Sequence, residues 1–292
     1  MNPTLLEIFQ HIRRIQIETT RNVDDLFAGI YRSAFKGRGL EFEDVREYQP
    51  GDDIRSIDWN VTARLQTPYL KNFREERELT VMLVVDISAS SHFSHIKQLK
   101  SELIAEVAAL LAFSAIKNQD NVGLLLFSNQ IELYLKPKKG LRHVLRVIRE
   151  LLFFQPQYRG TDLQKALRFL GNVQKKQSTC FLISDFLTQP LFHAIHITAK
   201  RHELIGIQLY DEYEQIFPSM GLISLYDLES NKKALIDSSD KSLQKFYQES
   251  SKYRQQLWQK TFAKAGAAWI SIRTDESSTQ ALYNFFKFRH KK

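Results

Sequence analysis

"TVMLVVDISASSHFSH", residues 80–95, decides how the rest of the chain is read. Thr80 to Val85 is apolar and largely β-branched, the pattern of a strand covered on both faces. The run stops at Asp86, and Ser88, Ser90 and Ser91 follow at once. A carboxylate and hydroxyls spaced two apart behind a core strand present hard oxygens, donors that suit Mg2+, Mn2+ or Ca2+ rather than zinc. If the loop is extended, alternation puts Asp86, Ser88 and Ser90 on one side, facing a single ion. The same residue types also cap helices and fill turns, and from this pattern alone the cap is the simpler explanation.

Outward from this strand the chain alternates strand and helix. Residues 95–118 keep Ile96, Leu99, Leu103, Ile104, Val107, Leu110 and Leu111 at helical spacing. "NVGLLLFS" (121–128) is a second buried strand, and "QIELYLKP" (130–137) follows so closely that it must be its antiparallel hairpin partner. Helices are expected at 140–153, 162–175, 189–201, 239–265 and 277–288, with strands at 178–185, 202–211 and 267–274. This alternation predicts an α/β fold, a mostly parallel sheet between helices. Ligands of such open sheets gather at the carboxyl ends of the strands, where Asp86 and Asp185 both lie.

Two segments break the alternation. Residues 1–78 hold an amphipathic helix and then a turn-rich stretch in which Pro50-Gly51 suits a type II turn. Residues 212–237 read as an inserted β-hairpin around Ser230-Asn231. The expected organisation is therefore an appended region, 1–78, and a main domain, 79–288, carrying that insertion. Short strands are unstable alone, so the two appended segments are expected to pair into one small β-rich subdomain.

Composition narrows the function classes. The 292 residues, 43% hydrophobic and 25% charged, suit a folded globule of one or two domains. The single cysteine, Cys180, lies in an apolar strand and reads as a buried, reduced thiol. No secretory signal pattern opens the sequence, and the most apolar stretch, 103–116, is interrupted by Glu106 and falls short of a membrane span. A cytoplasmic location is expected. The net charge of +8 concentrates at 136–150 and 287–292. Such runs bind nucleic acid or anionic membranes in some proteins, but they are more often solvated helix faces, and no zinc-knuckle or phosphate-loop spacing accompanies them.

Two further stretches complete the pattern. "YRGTDL" (158–163) places Thr161 in a loop before a helix, and "FLISDF" (181–186) ends a strand in Asp185. Together with Asp86, Ser88 and Ser90, these residues resemble the metal-ion-dependent adhesion site of von Willebrand factor A domains. The chain departs from that pattern at Phe186, where glycine is common, and at Ser91, often apolar. The stretch "GRGLEFEDVREYQPGDDIRSIDWNVTAR" with "EERELTVMLVVDISAS" is further similar to the bacterial family called domain of unknown function 58. The resemblance implies a von Willebrand factor A-like fold and a Mg2+ (or Mn2+ or Ca2+) site formed by Asp86, Ser88, Ser90, Thr161 and Asp185. It also implies a protein partner that offers an acidic side chain to the ion, with MoxR-type AAA+ ATPases as the associated class.

Rival chemistries are weaker. A serine hydrolase would use Ser88 or Ser90 with His92 or His95, but no Gly-x-Ser-x-Gly elbow is present. A metal-assisted hydrolase would use the same carboxylates to activate water. His193 and His196 share a helix face without an evident third ligand. Asp52, Asp53 and Asp58 read as a turn stabilised by Arg55 and packed by Trp59. The expectation is a binding module, not an enzyme.

Overall fold

The structure, a computed structural model, describes residues 31, 41–74, 79–92, 100–226 and 233–289. Its centre is a six-stranded sheet built from β3 (Thr80–Asp86), β4 (Asn121–Phe127), β5 (Ile131–Lys138), β6 (Thr179–Ser184), β7 (Glu203–Tyr210) and β10 (Ala268–Arg273). The strand order is β10-β7-β6-β3-β4-β5, parallel throughout except for β5, the antiparallel edge expected from the short link after β4. From β3 the chain builds outward to β4 and β5, then returns to lay β6, β7 and β10 on the other side of β3. The β3/β6 boundary is therefore the point where the winding reverses, and the carboxyl ends of these two strands flank a natural crevice.

The strands are continuous apolar runs because both faces are covered. On one face Val81, Leu83 and Val85 pack with α2 (Lys100–Lys117), α3 (Leu141–Phe153) and α7 (Ser278–Arg289). On the other, Met82 and Val84 meet α4 (Leu163–Val173), α5 (Phe192–Arg201) and α6 (Lys241–Lys264). Side-chain alternation along β3 thus feeds two cores, and each fully buried Val or Leu contributes ~1.5–3 kcal/mol. On β7, Gly206 is required by packing, since a Cβ there would lie 2.7 Å from the Phe262 ring and 2.8 Å from that of Trp269. Cys180 is buried, as expected, and burial pushes its thiol up to about 12, leaving it inert.

The appended segments correct one expectation. β1 (Glu41–Glu47) pairs with β2 (Tyr69–Arg74), and β8 (Leu222–Tyr226) pairs with β9 (Lys233–Asp237), each as its own two-stranded antiparallel sheet. They do not join into one sheet. Between β1 and β2, Gln49–Asp52 form a turn with the Asp52 amide donating to the Gln49 carbonyl at 3.1 Å and Gly51 at φ 110°, as the Pro-Gly pair predicts. The aspartates here are structural, though not in the way expected. Asp52 is gripped by the Arg46 guanidinium at 2.7 and 2.8 Å, and Asp53 accepts from the Arg55 backbone amide. Asp58 caps α1 (Trp59–Leu65), while Trp59 is 66% exposed and packs nothing down. The expected N-terminal amphipathic helix, the start of the 95–118 helix, Ser230-Asn231 and the tail basic residues 290–292 lie outside the described residues.

His202, at the start of β7, yields a pH prediction. Its ring is buried, with Nδ1 3.1 Å from Ser178 Oγ and Nε2 without a partner. Burial, helped by neighbouring Arg201, lowers its pKa below the ordinary 6.5. Between the native and unfolded values the unfolded chain binds more protons, so this contribution is complete above about pH 6.5 and is lost as pH falls below it. His143 is lowered in the same direction, so the comparison is between the parent and His202→Gln. Urea unfolding from pH 7.5 to 5 should show a shallower loss of stability in the variant, and parallel curves would refute the assignment.

Candidate metal centre

The site is built where the sheet winding reverses. Asp86 ends β3, and the next strand over ends at Ser184, whose hydroxyl donates to Asp86 Oδ2 at 2.8 Å. Asp86 Oδ1 accepts from the Ser88 amide at 3.0 Å, and the Ser88 side chain also bonds this carboxylate. Beyond Asp86 the chain does not stay extended: Ala89–His92 close into a 3-10 turn. That turn, rather than strand alternation, brings the Ser88 and Ser90 hydroxyls within 3.1 Å of each other. Asp86, Ser88, Ser90 and Asp185 are all buried.

Thr161 comes from the loop between α3 and α4. That loop is stitched to the site from both sides. The Ala89 amide donates to the Arg159 carbonyl at 3.0 Å, and the Asp162 amide donates to the Ser128 carbonyl at the end of β4 at 2.9 Å. Asp162 then caps α4. Thr161 is half-buried in this loop but is not in the lining of the central cavity. That cavity, about 10 Å3, is lined by Asp86, Ser88, Lys100, Ile104, Asp185 and Leu209.

Two charged residues were not anticipated. Lys100, at the start of α2, is 1% exposed, and its Nζ donates to Asp185 Oδ2 at 3.1 Å and to Glu214 Oε1 at 2.5 Å. Glu214 is itself held rigidly. Its Oε2 accepts from the Asp211 amide at 3.0 Å, its carbonyl accepts from Ser251 Oγ at 2.8 Å, and Asp211 caps the short 3-10 turn Glu212–Glu214. The signal for Lys100 was its register. It lies three and four residues before Leu103 and Ile104, so a lysine occupies the buried stripe of the helix. Glu214 follows the end of β7, on the same edge of the sheet as Asp86 and Asp185.

The electrostatics are unbalanced. Two carboxylates, Asp185 and Glu214, share the Lys100 ammonium, and a third, Asp86, lies beside them held by hydrogen bonds from Ser88 and Ser184. Burial, and then repulsion from Asp185, lift the Asp86 pKa from 3.8 to about 7 despite hydrogen bonds that oppose the shift. Burial likewise raises Glu214 against the pull of Lys100. Burial disfavours the charged lysine, but Asp185 and Glu214 outweigh it and hold its pKa above the ordinary value, so the side chain is an ammonium. No group of three or more His, Cys, Asp or Glu arranged to hold a metal occurs among the described residues, so a cation here would rely on hydroxyls beside carboxylates. Buried serine hydroxyls facing each other next to the Asp86 and Asp185 carboxylates are a donor set that fits a hard divalent ion.

The fold is α/β, a mostly parallel sheet between helices. The family model described as "Protein of unknown function DUF58" matches residues 44–257. The chain belongs to the DUF58 family. Among its relatives, an uncharacterized protein of Mycobacterium tuberculosis (Rv1480) is 28% identical over 285 residues, 96% of this chain and 89% of that one. YeaD of Bacillus subtilis, also uncharacterized, is 25% identical over 161 residues, 55% of this chain and 38% of that one. Among solved structures, an aerotolerance-related membrane protein from Bacteroides fragilis shares 12% identity over 73% of this chain and all of that one, with a TM-score of 0.51, a likeness of fold alone. Among the described residues no helix is long and apolar enough to cross a membrane.

The other sequence candidates remain apart from this centre. Phe192 stacks on His196, which is half-buried, and His193 is exposed. The side chains of Ser91 and His92, and all of His95, lie outside the described residues.

The departure at Phe186 has a physical reason. Its φ is 55°, the left-handed region that explains why glycine is common at this position. Holding a phenylalanine there costs about 1–2 kcal/mol. Phe186 offsets this by burying its ring against Trp258, Phe262 and Trp269, at centroid distances of 4.9, 5.9 and 4.7 Å. Burial of the ring is worth about 1.5–3 kcal/mol before the aromatic contacts are added, so packing wins. Phe186→Ala should lose about 3–5 kcal/mol in urea unfolding. Phe186→Gly should lose less than Phe186→Ala, since glycine releases the backbone strain. The reverse order would show that φ at 186 is not left-handed in solution.

Proposed function

We propose that this DUF58 chain is a non-catalytic, divalent-cation-dependent protein-binding module. The observation that carries the reading is the buried cluster in which Asp86 lies beside Asp185 and Glu214, with one ammonium between the latter two, next to paired serine hydroxyls. Asp86, Ser88, Ser90 and Asp185 would hold the ion, with Thr161 approaching from the neighbouring loop. When bound, a Mg2+ or Mn2+ ion supplies a Lewis-acidic position that a carboxylate from outside can complete.

The chain's own residues are arranged for binding more than for turnover. The hydroxyl of Ser88 is engaged with Asp86 and with Ser90, which orients it as a ligand. Asp86 is fixed by Ser184 and by the Ser88 amide, so it can shape the site without moving. The partner chemistry that follows is an acidic side chain, and the resemblance of the family points to a MoxR-type AAA+ ATPase in the cytoplasm. The outer face of α3 presents Arg142, Arg146 and Arg149 to solvent, with Lys138 and Lys139 beside it. This face would steer an acidic partner at long range, an effect that salt weakens.

Calorimetric titration with Mg2+ should show one site in the parent and at least tenfold weaker binding in Asp86→Ala and in Ser88→Ala, with thermal unfolding confirming that both fold. Equal binding in parent and variants would refute the metal site. Capture of the purified ATPase should need Mg2+ and fail both in EDTA and with Ser88→Ala. Equal capture in all three conditions would detach the partner from the site, and no capture in any would remove this ATPase as the partner.

A further inference from the structure

Among the described residues Lys100 is the one buried cation of the centre, and it stands on the same carboxylate that the metal reading needs. Its Nζ is shared between Asp185 Oδ2 at 3.1 Å and Glu214 Oε1 at 2.5 Å, and it lines the central cavity with Asp86 and Ser88. Both Asp185 oxygens are engaged in this arrangement, since Oδ1 accepts from the Leu187 amide at 3.3 Å. Glu214, by contrast, is locked from outside the cavity by the Asp211 amide and by Ser251 on α6. One acceptor of Lys100 belongs to the metal site and the other belongs to the scaffold.

We propose that Lys100 is a resident counter-ion that competes with the divalent cation for Asp185, and that Glu214 is the group that retains the ammonium once Asp185 is given up. The inference rests on the cation-binding reading above and adds what sets its affinity. With no divalent ion, Lys100 bridges the two carboxylates and keeps the buried cluster from carrying all three negative charges uncompensated. For Asp185 to face a cation, Lys100 surrenders one hydrogen bond and keeps its shorter one to Glu214. The ammonium then remains within a few ångströms of the ion and repels it, since like charges at about 4 Å in a partly buried site interact strongly. Affinity for the divalent ion is thereby held below what the oxygen donors alone would give. A weak, exchangeable site follows, one whose occupancy tracks the free cation concentration or the arrival of a partner carboxylate.

The test is calorimetric titration of Mg2+ into the parent, Lys100→Met and the double variant Lys100→Met/Glu214→Gln. Lys100→Met alone leaves two buried carboxylates without their cation and risks unfolding. The double variant removes one charge of each sign, keeps the net charge of the cluster, and so separates competition at Asp185 from simple charge. Both variants should bind Mg2+ at least tenfold tighter than the parent, and in thermal unfolding Mg2+ should raise the melting temperature of each by more than it raises the parent's. A double variant that binds with the parent's affinity or more weakly overturns the competition. If the parent binds Mg2+, and Asp86→Ala abolishes this while the lysine variants change nothing, only the competition fails. If neither the parent nor either lysine variant binds, the metal reading fails with it.

Discussion

Buried negative charge at the reversal point of the sheet is the constraint on which the rest of the site depends. A mostly parallel sheet brings the carboxyl ends of β3, β6 and β7 to one edge, and in this chain those ends are followed by Asp86, Asp185 and, just beyond Asp211, Glu214. Isolated carboxylates cannot be carried into such surroundings without a cation, a hydrogen-bond network or a proton. All three devices are present. Lys100 supplies the cation, Ser184, Ser88 and the backbone amides supply hydrogen bonds, and Asp86 is shifted toward its protonated form. The crevice still holds one carboxylate more than the Lys100 bridge pairs, and the proposed cation site rests on that surplus.

The position of the second aspartate is set at some distance from the charges. Asp185 can turn toward the crevice because the next residue takes a left-handed conformation, and that conformation is held by the burial of Phe186 between α6 and β10. Trp258 adds a hydrogen bond from Nε1 to the Thr188 carbonyl at 3.0 Å, which fixes the loop that follows. Gly206 leaves room for Phe262 to complete this aromatic cluster. The electrostatic centre therefore rests on an apolar one, and loss of packing at Phe186 would loosen Asp185, the residue bonded to it.

Much of this was legible in the sequence, for definable reasons. Continuous apolar runs and helical spacing are local signals, so the order of strands and helices in 79–289 and the antiparallel edge at β5 could be read directly. The aspartates were legible because each ends such a run. The adjacency of Ser88 and Ser90 was read correctly but for the wrong geometric reason, since a 3-10 turn replaces the extended loop. Lys100 and Glu214 escaped because their roles are non-local, with 85 residues separating Lys100 from Asp185 and 114 from Glu214. A lysine within an apolar helical stripe was a visible anomaly, but its partner could not be named without the fold. The appended hairpins were visible as strands, while their independence of each other depends on tertiary placement that no local pattern encodes. Trp59 shows the same limit: an aromatic residue beside a turn was expected to pack inward, and it faces solvent.

The presence of Lys100 also answers a folding problem that a pure cation site would leave open. A chain that placed Asp86, Asp185 and Glu214 together with no internal cation would depend on a metal ion to fold, as small structural metal domains do. With Lys100 in place, the core on both faces of the sheet can form with Asp185 and Glu214 already paired. The cost falls on binding, since the residue that permits folding without the ion also opposes the ion. If the proposed cation site holds, one side chain sets the stability of the protein and its affinity for the cation in opposite directions, an arrangement suited to a centre that exchanges its occupant.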